Sequence, residues 1–125
     1  MRLAVFSDTH GNVARMKAAL HALRPQQIDL WVHCGDLGSE AIIEDLVALQ
    51  AEGCRVLAVP GNVDEWEPDL IKYAAAIGLP LPRLQRWESD GIRFALTHGH
   101  DLRLLDALTA DPHTDIVFTG HTHVA

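Results

Sequence analysis

The sequence is short of several residue types, and each shortage excludes a class of protein. Its 125 residues contain only two cysteines, Cys34 and Cys54, too few for the disulfide framework of a small secreted domain. No apolar run approaches the ~20 residues that cross a bilayer. Basic residues are outnumbered by acidic ones, 10 against 17, and the resulting net charge of −7 argues weakly against broad nucleic-acid binding.

What is present is an ordinary globular composition, with 48% hydrophobic residues. We expect a single domain over residues 1–125, because this length is sufficient for one hydrophobic core and the sequence has no repeat or long linker. The apolar stretch at the N-terminus, residues 1–6, is too short for a signal peptide. We therefore expect a cytoplasmic protein with no membrane segment.

Strand-like and helix-like patterns alternate in the first half of the chain. The predicted strands cover residues 2–7, 28–33 and 55–59, and the predicted helices cover residues 13–23 and 41–50. Asn12 and Ser39 are candidate N-caps of the two helices. This β-α-β-α-β order predicts an α/β fold, with a parallel sheet covered by helices.

The second half of the chain has a different pattern. Two strand-like runs, Arg83–Glu88 and Ile92–Thr97, flank Ser89-Asp90-Gly91, which predicts a β-hairpin. A short helix is predicted over residues 101–110 and a last strand over residues 115–119. The predicted fold is therefore a parallel sheet with helices plus a hairpin.

Polar residues of metal-ligand type follow nearly every predicted strand. In chain order they are Asp8, His10, Asp36, Asn62, Asp64, His98, His100, His121 and His123. The carboxyl ends of parallel strands lie along one edge of a sheet, where open α/β folds build their sites. We therefore expect these distant segments to converge.

The ligand types indicate the kind of cation. Imidazoles, carboxylates and one amide oxygen suit first-row metals such as manganese, iron and zinc. If the backbone is extended, alternation directs Asp8 and His10 to the same side, and likewise His121 and His123. Nearby glycines such as Gly35 and Gly61 leave room for a cation and a substrate.

Each residue also has a simpler interpretation. A single Asp after a strand is more often a turn or capping residue. His21 and His113 are predicted to be exposed, His33 to be a satisfied core histidine, and Cys34 to be a packing residue. Only the complete ordered set indicates a metal site.

The order of these motifs resembles the calcineurin-like metallophosphoesterases, in particular their small bacterial and archaeal phosphodiesterase branch. The matching motifs are Asp8-Thr9-His10, Gly35-Asp36, Gly61-Asn62-Val63-Asp64, His98 and Gly120-His121-Thr122-His123. They extend over essentially the whole chain.

The resemblance implies a layered metallophosphoesterase fold and two divalent metal ions. Asp8, His10 and His123 would hold one ion, and Asn62, His98 and His121 the other, with Asp36 bridging both. Manganese is favoured, with iron, zinc, nickel or cobalt as alternatives. The implied activity is hydrolysis of a small phosphate ester, with phosphodiesters favoured, by a metal-bridging hydroxide. Asp36, Asn62 and His98 are the predicted catalytic residues.

The sequence departs from the family pattern at two places. Many relatives carry a histidine where this chain has Val63, and that histidine is thought to assist the leaving group. His100 is the nearest substitute along the chain, although a supporting or surface role is favoured for it. The chain also ends at Ala125, before the C-terminal strands expected from the resemblance, and a homodimer is one way to cover the resulting sheet edge.

A second function remains open at this stage. The same fold serves as a catalytically silent interaction scaffold in the retromer subunit, and fold alone does not separate the two functions. A scaffold has no need of seven metal ligands, which favours the enzyme. A nucleotide substrate stays open, because metal ions would reverse the negative field locally.

Overall fold

The computed structural model describes residues 1–121, so that Thr122–Ala125, including the predicted ligand His123, lie outside the described residues. Its helices and strands alternate along the first half of the chain and end in a hairpin-containing second half. In order they are β1 (Leu3–Phe6), α1 (Val13–Leu23), a 3-10 turn (Arg24–Gln26), β2 (Leu30–His33), α2 (Glu40–Ala51), β3 (Arg55–Ala58), α3 (Asn62–Glu65), α4 (Pro68–Ala76), β4 (Gln85–Ser89), β5 (Ile92–Leu96), α5 (Leu102–Ala110) and β6 (Ile116–Phe118). No helix in the described range is long and apolar enough to cross a bilayer.

The strands form two three-stranded sheets. The first has the order β1-β2-β3 and is entirely parallel. The second has the order β4-β5-β6, in which β4 and β5 form the antiparallel hairpin and β6 runs parallel to β5. The predicted α/β fold is confirmed, but the polar residues after β5 and β6 belong to a second sheet and not to one continuous edge.

Strand β2 explains how the layers pack. Successive side chains of a strand point to opposite faces, and all four residues of β2 are buried. Leu30 and Val32 contact the second sheet through Trp87 and Phe94. Trp31 faces the other way, into a core formed with helices α1, α2 and α4. Both faces of the first sheet are therefore covered, which accounts for the continuous apolar run of β2.

Helix boundaries agree closely with the sequence patterns, with two differences. Asn12 caps α1 by accepting a hydrogen bond from the Arg15 amide at 3.1 Å, as predicted. Ser39 occupies the N-cap position of α2 but makes no capping hydrogen bond through its side chain. Helices α3 and α4 were not predicted, although Pro68 at the first turn and the buried pair Leu70 and Ala74 are typical of a short helix.

Candidate metal centre

The loop after β1 is held against the loop after β2 by backbone hydrogen bonds. The amide of Asp8 donates to the carbonyl of Gly35 at 2.9 Å, that of His10 to Asp36 at 3.0 Å, and that of Gly11 to Leu37 at 2.8 Å. These bonds continue the pairing of β1 and β2 beyond the strands. They bring the two loops side by side, although the bonded residues are 26 or 27 positions apart in sequence.

Four of the predicted ligands have a left-handed backbone. The φ angles are 54° for Asp8, 46° for His10, 58° for Asp36 and 73° for His121. Aspartate and histidine tolerate this region better than most residues. The Asp8-Thr9-His10 segment is therefore not extended, and the alternation expected for an extended backbone does not apply to it. The two side chains nevertheless converge, because the loop–loop hydrogen bonds turn both toward Asp36.

Asp8, His10 and Asp36 form one group of donor atoms. One ligand atom from each lies within 4.8 Å of the others. The Nε2 atom of His10 is 3.8 Å from Asp8 Oδ1 and 3.7 Å from Asp36 Oδ2. Asp36 itself is only 2% exposed, and its other oxygen accepts a hydrogen bond from the Val63 amide at 3.1 Å. Three of the seven predicted ligands thus converge here.

His98 shows that the cluster fits a cation. Its Nδ1 atom lies 2.7 Å from the carbonyl oxygen of Cys34, which can only accept, so Nδ1 carries the hydrogen. In the neutral ring, Nε2 then carries a lone pair. The Nε2 atom lies 3.1 Å from Asn62 Oδ1 and 3.3 Å from Asp36 Oδ2. These atoms are all acceptors around one space, an arrangement that a positive ion between them would stabilise.

Asn62 and His121 complete the part of the cluster that the structure describes. The Nδ1 atom of His121 is 3.2 Å from Asn62 Oδ1, the same oxygen that His98 faces. The backbone amide of His121 donates to Asp8 Oδ2 at 3.2 Å. Asp8, from the first sheet, and His121, from the second, are thereby joined directly. Six of the seven predicted ligands lie together, and the seventh, His123, is outside the described residues.

Asp64 has a role that sequence reasoning left open. It is fully buried, and its carboxylate accepts three backbone hydrogen bonds at 3.0 Å, from Leu37, Gly38 and Gly61. It therefore ties the loop after β2 to the loop after β3. Its action on the cluster is through the backbone of the segments that carry Asp36 and Asn62.

Two glycines allow these loops to come close. A Cβ atom on Gly35 would lie 2.6 Å from Nδ1 of His98, and Gly35 also has a φ of 106°. A Cβ atom on Gly61 would collide with the carboxylate of Asp36. Glycine is thus required for the approach of the backbone to the predicted ligands.

His33 and Cys34 belong to the supporting core, as predicted. His33 is fully buried, its Nδ1 atom accepts from the Gly35 amide at 3.1 Å, and its Nε2 atom lies 3.1 Å from Thr9 Oγ1. Burial lowers the pKa of His33 to about 4. Burial likewise raises the pKa of the Cys34 thiol to about 12, so the thiol stays protonated and unreactive.

His100 lies beside the cluster, on the side of the second sheet. Its ring centre is 5.4 Å from that of His98 and 6.2 Å from that of His121. Its Nε2 atom is 3.2 Å from Glu65 Oε1, and the other oxygen of Glu65 accepts a hydrogen bond from Arg83 at 2.8 Å. His21 and His113, in contrast, are exposed as predicted.

Comparison with known proteins agrees with this geometry. The sequence model described as the calcineurin-like phosphoesterase superfamily domain matches residues 1–125. The chain belongs to this superfamily. The resemblance seen in the motifs is therefore confirmed, and the chain is a metal-dependent phosphoesterase by family.

Individual relatives come from archaea. The chain is 27% identical to "Phosphodiesterase MJ0936" of Methanocaldococcus jannaschii, covering 98% of this chain and 74% of that protein. It is 30% identical to "Probable metallophosphoesterase MJ0623" of the same organism, covering 98% of this chain and 59% of that protein. A solved archaeal phosphodiesterase superposes with a TM-score of 0.81 at 26% identity, covering 99% of this chain and 74% of that one. The relatives are thus longer than this chain.

Proposed function

We propose that this chain hydrolyses phosphodiesters at a centre of two divalent metal ions. Asp8, His10 and His123 would hold one ion, Asn62, His98 and His121 would hold the other, and Asp36 would contact both. The assignment of His123 rests on the sequence motif alone. The metals are divalent first-row ions, with manganese favoured over iron, zinc, nickel and cobalt because the donors mix imidazole, carboxylate and amide oxygen.

The observation that carries this proposal is the acceptor-only environment of His98. Its Nε2 atom faces Asn62 Oδ1 at 3.1 Å and Asp36 Oδ2 at 3.3 Å, with Nδ1 committed to the Cys34 carbonyl. A silent scaffold gains nothing from placing the buried Asp36 carboxylate and the Asn62 amide oxygen against the Nε2 lone pair of a neutral His98 ring. The enzyme is therefore the better interpretation of this cluster.

When bound, the two cations would make hydroxide available near neutral pH as the nucleophile and would polarise the phosphoryl oxygens. The contribution of the protein is to hold the ligands before substrate arrives. The Cys34 carbonyl fixes the ring of His98, and the Val63 amide fixes one oxygen of Asp36 at 3.1 Å. Asn62 offers a neutral oxygen, which leaves the centre more positive toward an anionic ester than a carboxylate would.

The substrate class follows from charge. A phosphodiester carries one negative charge, and the whole chain has a net charge of −7. The substrate would therefore be attracted only near the bound cations. We propose a small phosphodiester, which includes nucleotides as candidates, acted on in the cytoplasm. We also propose that two copies pair to cover an exposed sheet edge.

Counting bound metal tests the function. Purified protein is loaded with manganese, desalted and measured by elemental analysis, in parallel with hydrolysis of bis-p-nitrophenyl phosphate. We expect two manganese ions per chain and metal-dependent release of p-nitrophenol. The matched control is Asp69→Asn, which removes a carboxylate from the exposed first turn of α4 and should change neither value. A reproducible count of zero in folded protein would contradict the proposal and favour the scaffold.

A further inference from the structure

A cavity of about 460 Å³ opens beside the cluster and is shared by the metal ligands and helix α1. Asp8 and His10 line it on the side of the cluster, Asn12 and Arg15 line it from the start of α1, and Phe6 and Ala19 add apolar surface. We call it the α1 pocket. Its volume lies within the ~300–1,000 Å³ typical of sites for small organic ligands.

Arg15 is the charged group that α1 contributes to this pocket. Its side chain is exposed, and within residues 1–121 no carboxylate lies within ion-pair distance of it. Other arginines of the chain do have such partners: Arg83 pairs with Glu65 at 2.8 Å, and Arg93 pairs with Asp115 at 3.0 Å. The guanidinium of Arg15 is therefore available to an anion from outside the chain, and a guanidinium binds carboxylate or phosphate oxygens through two parallel hydrogen bonds.

The position of the pocket relates it to the substrate. A phosphodiester has two organic arms, of which one leaves and one stays on phosphorus. Because Asp8 and His10 belong to both the cluster and the pocket, the α1 pocket is within reach of one arm of a phosphodiester bound at the cluster. Apolar surface from Phe6 and Ala19 suits the carbon skeleton of that arm, and Arg15 suits an anionic group on it.

We propose that the α1 pocket binds a substrate arm that carries a second oxyanion, a carboxylate or a phosphate, through Arg15. This inference rests on the proposed phosphodiesterase function. It narrows the substrate class to phosphodiesters with an additional anionic group. Arg15 is then a specificity-determining residue, distinct from the residues that hold the metals.

The test compares arms that differ in charge while the leaving group is constant. The substrates are p-nitrophenyl phosphodiesters whose second arm is 2-carboxyethyl, 2-phosphoethyl, ethyl or choline. We expect Arg15→Gln to lower kcat/KM for the two anionic arms about tenfold, mainly through KM, which is the size of one partly exposed charge-assisted contact. The ethyl arm should change less than about twofold, and Arg15→Glu should move the preference toward choline.

Lys17→Gln is the matched control. Lys17 lies on the same helix, is exposed, and does not line the α1 pocket, so this variant removes the same charge from a position outside the pocket. It should leave the order of the four substrates unchanged. Equal losses for all four arms in Arg15→Gln would mean that Arg15 contacts the cleaved phosphate itself, and would overturn the proposed subsite. Equal effects of the Arg15 and Lys17 variants would mean that Arg15 acts only through the overall electrostatic potential of the protein, and would also overturn the proposed subsite.

Binding gives a readout that does not depend on turnover. Non-hydrolysable phosphonate analogues with the 2-carboxyethyl and ethyl arms are titrated calorimetrically into manganese-loaded wild type and Arg15→Gln. Tighter binding of the carboxylate analogue, by about tenfold and only with Arg15 present, supports the subsite even if no ester is hydrolysed. Loss of catalysis alone would then count against the proposed function. Equal binding of the two analogues to wild type, or no binding of either, would overturn the subsite whatever the activity.

Discussion

The buried histidine of β2 gives a prediction about stability in acid. His33 is fully buried, and both ring nitrogens have partners, the Gly35 amide at 3.1 Å and Thr9 Oγ1 at 3.1 Å. Since Nδ1 accepts from Gly35, a proton added to it would face another donor. Burial lowers the pKa of His33 from 6.5 to about 4. We predict that the metal-free protein loses stability as the pH falls through this range.

The sign and size follow from proton linkage. The unfolded ring takes up a proton near pH 6.5, whereas the folded ring does so only near pH 4, so the unfolded state binds more protons between these values. The contribution of His33 to the free energy of unfolding is therefore complete above about pH 6.5 and decreases as the pH falls toward about 4. Below about pH 4 it does not change further. A gap of about 2.5 pH units, from 6.5 to about 4, corresponds to on the order of 3 kcal/mol in the free energy of unfolding.

The assay is urea unfolding followed by circular dichroism, at several values from about pH 7.5 to 4.5. A chelator is present throughout, so that protonation of the predicted metal ligands does not contribute through metal release. His33→Gln keeps a donor toward Thr9 but cannot titrate, and His33→Asn keeps an acceptor toward Gly35 in case the first variant folds poorly. His21→Gln, at an exposed histidine, is the control. If the difference in unfolding free energy between wild type and the His33 variants were constant across the pH range, the reasoning would be refuted.

Two further predictions concern catalysis. Asp36→Asn should reduce kcat on the order of 100-fold and lower the manganese count, because in the proposed function Asp36 would contact both ions, whereas His100→Ala should cost less than about tenfold. Comparable losses in the two folded variants would contradict the assignment. Val63 cannot donate a proton to the leaving group, so rates should rise steeply with leaving-group acidity, and bis-p-nitrophenyl phosphate should be cleaved much faster than an alkyl diester. Val63→His should increase the rate of alkyl-ester cleavage by part of the ~10²–10⁴-fold that general acids typically contribute. If the wild-type rate did not depend on leaving-group acidity, another group would already supply the proton, and His100 would be the first candidate.

Much of the fold could be predicted because its patterns are local. The buried strands β2 and β3, the amphipathic helices α1 and α2, and the hairpin all appear as short periodic runs with turn residues between them. The candidate site could be predicted as a set of residues, since each ligand type follows a strand and the order of motifs is specific. Neither inference required knowledge of how the strands are arranged in space.

The arrangement in space could not be predicted in the same way. That β5 and β6 belong to a second sheet depends on the packing of Trp87 and Phe94 against Leu30 and Val32, contacts that join distant parts of the chain. The hydrophobic periodicity of the sequence does not predict such contacts, because it indicates only which face of a strand is apolar. The α1 pocket was missed for the same reason: Arg15 looks like any exposed helical arginine until the cavity beside it is known.

The predicted ligand residues with a left-handed backbone show how long-range hydrogen bonds support the site. A non-glycine residue in this region costs about 1 kcal/mol, and Asp8, His10, Asp36 and His121 all adopt it. Such a backbone persists only where the surroundings determine it. Here the surroundings include Asp64, which is fully buried and accepts three amides from two different loops. The hydrogen bonds that the Asp64 carboxylate accepts thus help to offset the cost of the strained loops, and they hold the donor atoms in place before any cation arrives.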